Sequence, residues 1–204
     1  MYKPFYKSDC LEVSLDETGR GTLFGSTWAG AVYWDPNVTH PLIIDSKKLT
    51  KRKRLMAYDF IKEEAIGCAT AKIEAKEIDK INIRNAAIKA MHIAIDNTFI
   101  PPQHILVDGD YFKFYVDKTT GEVVSHTCVI GGDRQYLGVA AASILAKVEH
   151  DKEIEKLCDE YPELEKYDLR NNMGYGTKKH CDAIAKYGPH IFHRKTFSKV
   201  KEFL

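Results

Sequence analysis

The stretch "HILVDGD", His104 to Asp110, decides the fold. Its first half is almost wholly apolar and does not alternate, which is the pattern of a strand covered on both faces, and such strands belong to sheets flanked by helices. Asp108 and Gly109 end the run and leave a carboxylate at its tip. On the upstream side, Ile83, Ala87, Ala90, Met91, Ala94 and Ile95 recur at three- and four-residue steps, predicting an amphipathic helix from Ile83 to Phe99 that Pro101 and Pro102 stop. On the downstream side, "YFKFYVDKTTGEVVSHTCVI" is an excursion turning at Thr120 and Gly121, with "VVSHTCVIGGD" as a further strand. A long helix follows from about Gln135 to Tyr161, with Ala141, Ile144, Leu145 and Val148 on one face.

Further out, "CLEVSLD" alternates Leu11, Val13 and Leu15 with polar neighbours and reads as a strand ending at Asp16. "STWAGAVYW" and "CATAKIEA" read as two more. Between them lies a helix that begins near Thr50, an N-cap, carries Leu55, Tyr58, Phe60 and Ile61, and ends at Gly67. "EYPELEKYDLRNNMGYGT" is a loop, "KKHCDAIAKYG" a short helix, and the tail is basic and aromatic. The expected architecture is α/β, a mixed five-stranded sheet flanked by helices. With no repeat or linker, residues 1–204 are expected to form one domain, with about 163–204 as a C-terminal helical appendage.

A composition of 44% apolar and 29% charged residues is that of a soluble globular protein. No run reaches the length of a membrane span, and "MYKPFYKSDC" lacks the apolar core of a secretory signal, so the expectation is a cytoplasmic protein with no membrane partner. Five scattered cysteines without C-x-x-C spacing argue against both a disulfide framework and a zinc site. The net charge of +1 hides an uneven distribution: "KKLTKRKR", Lys47 to Arg54, and "HRKTFSKVK", His193 to Lys201, are both strongly basic.

The acids carry the chemistry. Asp16 and Glu17 close one strand, Asp108 closes another and Asp133 follows a third, so neighbouring strands would bring all four to one sheet edge. Carboxylates gathered in this way repel and partly protonate unless a cation binds among them. Oxygen-only ligation suits Mg²⁺ or Mn²⁺, and two such ions about 4 Å apart can drive phosphodiester hydrolysis. Taken singly, each acid is better explained as a solvated loop residue, as Asp45, Asp110 and Asp117 are read; Asp110 shares strand parity with Asp108 and is the alternative ligand.

The ordered set "DETGRG", "DSKKL", "EIDKINIRNAAIKAM", "LVDGD", "VAAASILAKV", "GYGTKKH" and "YGPHIFHRKTF", spanning about Ser14 to Phe197, resembles the type 2 ribonucleases H, the ribonuclease HII family. The resemblance implies a ribonuclease H-like fold and hydrolysis of the RNA strand of RNA–DNA hybrids. It also implies cutting 5′ to a lone ribonucleotide in duplex DNA, leaving 3′-hydroxyl and 5′-phosphate ends. Ribonucleotide removal and RNA primer removal would be its roles. By the same resemblance Asp16, Glu17, Asp108 and Asp133 hold two divalent ions, with Asp108 favoured over Asp110. Gly19, Arg20 and Gly21 would read the ribose 2′-hydroxyl, and Tyr175 would pack on the deoxyribose that follows.

Ser46, Lys47 and Lys48 lie in a family motif beside a helix start, where a phosphate would offset cations placed against the dipole. Ser143 and Lys147, counted with the substrate-binding residues, recur with Asp151 every four residues on one helical face; alanine-rich "VAAAS" suggests close packing on the sheet, so their first reading is structural, with Lys147 facing the acids or the substrate backbone as the functional one. His193 and Arg194 are expected at the DNA backbone. Met173 stands where many relatives have a lysine, so a phosphate contact from that lysine falls outside the pattern here. Ribonuclease HIII carries an additional N-terminal domain, whereas fifteen residues precede Asp16. A monomer is expected. The tail "FSKVKEFL" faintly resembles the hydrophobic plugs that dock on sliding clamps, with Phe197 in place of the glutamine; a plain terminal helix is the simpler reading.

Overall fold

The computed structural model describes residues 2–204. Strand β1 (Glu12–Thr18) sits in the middle of the sheet and antiparallel to β2 (Thr27–Tyr33). After helix α1 (Lys51–Glu64), strand β3 (Gly67–Ile73) pairs antiparallel with β2. Helices α2 (Ala75–Ile81) and α3 (Ile83–Asp96) then lead to β4 (His104–Asp108), which runs parallel to β1. Strands β5 (Tyr115–Val116) and β6 (Val123–Val129) form a hairpin, and β6 is parallel to β4. Helix α4 (Leu137–Glu160) follows, then α5 (Leu169–Asn172), α6 (Lys178–Tyr187) and α7 (Ser198–Lys201).

The sheet order is β3-β2-β1-β4-β6-β5, six strands rather than the expected five. The sixth, β5, has two residues, too few to show any periodicity; it exists because Asp117 accepts from the amide of Thr119 and closes the turn. Helix α3 is shorter than its spacing predicts, ending at Asp96, after which Phe99 takes a left-handed φ of 58°. Helix α2 has only Ala75 and Ile78 buried, so its pattern is nearly silent in the sequence; Asn82, at φ 65°, breaks it from α3 and caps the latter through Asn85. Thr50 caps α1 as expected, but Gly67 opens β3 instead of ending the helix, since a Cβ there would stand 2.4 Å from Ile100 Cδ1.

One face of the sheet, with Val13, Leu15, Ala31 and Val107, packs on α3 through Ala90, Met91, Ala94 and Ile95. The other face packs on α4 and α1 through Ala141, Ile144, Leu145 and Ile61. Small residues let α4 sit unusually close: a Cβ on Gly30 would lie 2.4 Å from the carbonyl oxygen of Ala142. Beyond the sheet, the far half of α4 joins a third core in which Leu23 and Phe24 meet Leu164, Leu169, Ile184 and Val200. The loop expected at 160–177 is partly helical there, because Leu164, Tyr167 and Leu169 need that core. All five cysteines are free, and no described helix is long and apolar enough to cross a membrane.

Candidate active site

Parallel pairing of β1, β4 and β6 points their C-terminal ends the same way. Leu15 is in register with Val107, and Asp108 with Val129, so Asp16 and Asp108 lie at the same level of neighbouring strands; β1 does not end at Asp16 as expected but runs on to Thr18, because β2 continues to pair with Glu17 and Thr18. Asp133 follows β6 on a short 3-10 turn whose preceding residue, Gly131, is left-handed at φ 67°. Asp16 and Asp133 are buried, Asp108 and Glu17 half-buried. Asp110 is exposed at the rim of a small cleft with Glu17, Arg20, Arg84 and Tyr111. Asp45 and Asp117, read as solvated, are instead buried and close turns on the amides of Lys47 and Thr119.

Each acid has one or two neutral or cationic neighbours and too much negative charge around it. Asp16 accepts from the Glu17 amide at 2.7 Å, yet burial, then Glu17 and Asp108, hold its carboxyl well above the usual range against the smaller, opposing influence of the nearby Ser143 hydroxyl. Burial raises Glu17 as well, with Arg20 opposing at 3.2 Å and Asp108 adding to the rise. Burial likewise raises Asp108, against a 2.7 Å bond from the Gly132 amide and with Asp133 adding to the rise. Lys47 lies 3.6 Å from Asp133; burial pulls its ammonium down, but Asp133 and Asp16 outweigh that and raise it.

Among the described residues, no group of three or more His, Cys, Asp or Glu side chains stands closed around a metal position. An all-oxygen, anionic, partly buried set fits a hard divalent ion better than zinc. The sign of the pH dependence follows. Asp16, Glu17 and Asp108 hold protons to higher pH when folded than when unfolded, so the stability they contribute is full at low pH and declines as pH rises above about 4. A divalent ion reverses this by replacing the protons. At a hundredfold excess over its Kd, Mg²⁺ or Mn²⁺ should add about 2.7 kcal/mol, or about 5–11 °C in Tm, for a chain of this size. Thermal melts with the ion and with chelator should show the full rise at pH 8 and a smaller one at pH 5; equal rises would detach the ion from these acids.

Two residues expected on the substrate are buried instead. Ser46 and Ser143 are 3% and 6% exposed, and their hydroxyls meet at 3.0 Å, so the pair ties the α1 side of the site to α4 rather than facing a duplex. Lys47 and Lys48 are exposed beside them. Of the basic run, Arg54 is turned inward, bonding the Ser46 and Leu49 carbonyls and lying 3.5 Å from Asp151, while Lys51 pairs with Glu155. Lys147 bonds Asp151 at 2.7 Å and stands 5.7 Å from the centre of the Tyr175 ring.

Gly19 needs its hydrogen: φ is 83°, and a Cβ would press on His150 Cδ2 at 2.9 Å and the Ser26 carbonyl at 3.0 Å. A Cβ on Gly21 would lie 3.9 Å from Tyr175 Cε1, so the loop and the tyrosine are side by side. Tyr175 is 41% exposed, on a turn that Asn172 holds by accepting from the Gly174 amide at 2.8 Å. His193 and Arg194, expected on the DNA backbone, are 1% and 0% exposed; His193 turns to His180, and Arg194 bonds the carbonyls of Gly25 and Gly19 through Nε and Nη1, leaving Nη2 buried without a partner. The spacing of basic residues missed Arg84, whose guanidinium lies 3.9 Å over the Tyr111 ring at the cleft; only its place in "INIRNA" pointed to it. A roomier cavity of about 650 Å³, lined by Leu11, Gln103 and Ser125, lies at the opposite end of these strands and is no part of the site.

The family profile described as Ribonuclease HII matches residues 13–200. A ribonuclease HII of Bacteroides thetaiotaomicron is 43% identical over 198 residues, covering 97% of this chain and 94% of that one. Among solved structures, ribonuclease HII from Archaeoglobus fulgidus, in complex with PCNA, superposes with a TM-score of 0.70 at 21% identity, covering 92% of this chain and 95% of that one. Bst-RNase HIII in complex with Mn²⁺ superposes with a TM-score of 0.73 at 16% identity, covering 94% of this chain and 68% of that one. At those identities the two structures establish the ribonuclease H-like fold.

Proposed function

The chain belongs to the ribonuclease HII family and is a ribonuclease H hydrolase, and from that premise we propose that it cuts RNA–DNA hybrids on the RNA strand and duplex DNA 5′ to a single embedded ribonucleotide. The observation that carries the second activity is the placement of Tyr175 alongside the Gly19–Gly21 loop, which follows Asp16 and Glu17 in the chain: a Cβ on Gly21 would lie 3.9 Å from the tyrosine ring. A loop with close backbone access suits a 2′-hydroxyl, which both donates and accepts. A tyrosine face suits the next sugar only if that sugar lacks the hydroxyl that would crowd it. Together they select a ribose followed by a deoxyribose.

Asp16, Glu17, Asp108 and Asp133 would hold two divalent ions, Mg²⁺ or Mn²⁺; the solved relative with Mn²⁺ supports that class of ion. When bound, such ions activate water and stabilise the leaving oxygen, giving 3′-hydroxyl and 5′-phosphate ends. Backbone amides have positioning work: that of Glu17 orients Asp16 and that of Gly132 orients Asp108. Arg20, 54% exposed, is free to swing from Glu17 to a phosphate of the cleaved strand. Lys47 and Lys48 would take a phosphate on the Asp133 side.

Matched duplexes carrying one ribonucleotide, a full RNA strand or no ribonucleotide test the reading by product mapping in Mg²⁺. The first two should be cut and the third should not; cleavage of the all-DNA duplex at a similar rate would refute it. Tyr175→Ala should cut the single-ribonucleotide duplex about tenfold to a hundredfold less efficiently, from the loss of about 1.5–3 kcal/mol of aromatic packing, and the all-RNA strand less severely.

We read the protein as a monomer whose residues from about 163 onward add to the duplex surface. For a sliding-clamp partner the tail offers Phe203 and Leu204, exposed at 40% and 67%, whereas Val200 is buried in the third core. Clamp binding that disappears when residues 199–204 are removed would establish that contact.

A further inference from the structure

The Gly19–Gly21 loop and the Tyr175 turn come from distant parts of the chain, yet one dipeptide near the C-terminus reaches both. Residues 22–24 run between the two: Thr22 bridges to Tyr175 on one side and Phe24 to His193 on the other. The Leu23 amide donates to the Gly174 carbonyl and the Arg194 amide to the Leu23 carbonyl, each at 2.8 Å. From this frame the two side chains diverge.

Arg194, wholly buried, donates from Nη1 to the Gly19 carbonyl at 2.6 Å and from Nε to the Gly25 carbonyl at 3.0 Å, closing the loop from beneath. Among the described residues no carboxylate lies within ion-pair range of it, and burial pulls its pKa down only to about 10, so the charge persists at neutral pH. A buried cation bonded only to carbonyls is costly to keep and is a poor way merely to fill a core.

His193 works in the other direction. Its Nδ1 accepts from the His190 amide at 2.8 Å, which places its proton on Nε2, facing His180 Nε2 at 3.0 Å. His180 therefore carries its own proton on Nδ1 and donates it to the Tyr175 carbonyl at 2.9 Å. The chain of bonds from tail to tyrosine has one direction and no spare proton.

We propose that His193 and Arg194 form a brace that fixes the spacing between the loop and Tyr175, and thereby sets the preference for a ribose-to-deoxyribose junction over a continuous ribose strand. Both act as positioning residues, through Gly19 and through His180 and Tyr175. The inference rests on the function proposed above.

The test is the ratio of kcat/KM on the single-ribonucleotide duplex to that on the all-RNA hybrid. Arg194→Met and His193→Leu should each lower that ratio about tenfold, a fold-change equal to about 1.4 kcal/mol of selectivity. Arg194→Lys keeps a donor for the Gly19 carbonyl and His193→Gln keeps one for His180, so each should restore much of the ratio. Circular dichroism and Tm identify the folded variants; if Arg194→Met does not fold, the His193 pair and Arg194→Lys carry the comparison. Equal loss on both substrates, or a ratio unchanged in a folded His193→Leu, would overturn the brace. A wild-type chain that cuts neither substrate would overturn the ribonuclease reading instead.

Discussion

Asp16→Asn is expected to lower cleavage by about a thousandfold or more while duplex binding persists. Asparagine preserves the shape of the side chain and, through its Oδ1, the bond from the Glu17 amide, but removes the charge that a divalent ion needs. Several kcal/mol of transition-state stabilisation go with that ion, and about 4 kcal/mol corresponds to that factor. Binding should survive because Lys47, Lys48 and Arg20 are untouched, and removing an anion from the cleft, if anything, eases the approach of a phosphate backbone. Asp108→Asn should behave alike, whereas Asp110→Asn, on an exposed residue, should stay within about threefold of the parent. Steady-state cleavage with a binding measurement in Ca²⁺ separates these cases; full turnover by Asp16→Asn in Mg²⁺ would refute the assignment.

The second large effect is on stability. Gly30 faces Asp16 across the β1–β2 ladder, and a Cβ on it would lie 2.4 Å from the Ala142 carbonyl oxygen and 3.2 Å from Ala142 Cα. Those are backbone atoms of a long helix, which cannot rotate away. Gly30→Ala should therefore lift α4 from the sheet and cost about 3 kcal/mol, or about 6–12 °C in Tm for a chain of this length. Because Ser143 rides on α4 next to that contact, the folded fraction should also lose activity beyond what the change in stability accounts for. Differential scanning calorimetry checks the first part, and an unchanged Tm would show that α4 has more room than its packing indicates.

Much of the architecture was legible because burial leaves a period. Strands β1 and β4, the capping Thr50 and the inner face of α4 all follow from spacing alone. What escaped was too short or too dependent on distant partners. The two residues of β5 have no period, and α2 is held by only two buried positions. The meeting of Asp16, Asp108 and Asp133 depended on strand order, which no single strand encodes. Basic residues were read as facing water or a duplex, and that default failed where the fold supplies partners: Arg54 turns to the Ser46 carbonyl and Arg194 to Gly19. Their signal, visible only in space, is a carbonyl-rich turn without enough donors of its own.

That shortage explains why the glycine loop and the tail belong together. A segment chosen for close access to a sugar cannot also carry the side chains that would hold it still, so the stiffness comes from elsewhere in the chain.

The most direct test of the account is cleavage of one duplex in which the single ribonucleotide carries either its 2′-hydroxyl or a 2′-fluorine, which cannot donate a hydrogen bond. If the loop between Glu17 and Thr22 couples recognition to cutting, the fluorinated duplex should be cut about a hundredfold more slowly at saturating concentration, a difference of about 2.7 kcal/mol. Equal rates on the two duplexes would contradict it.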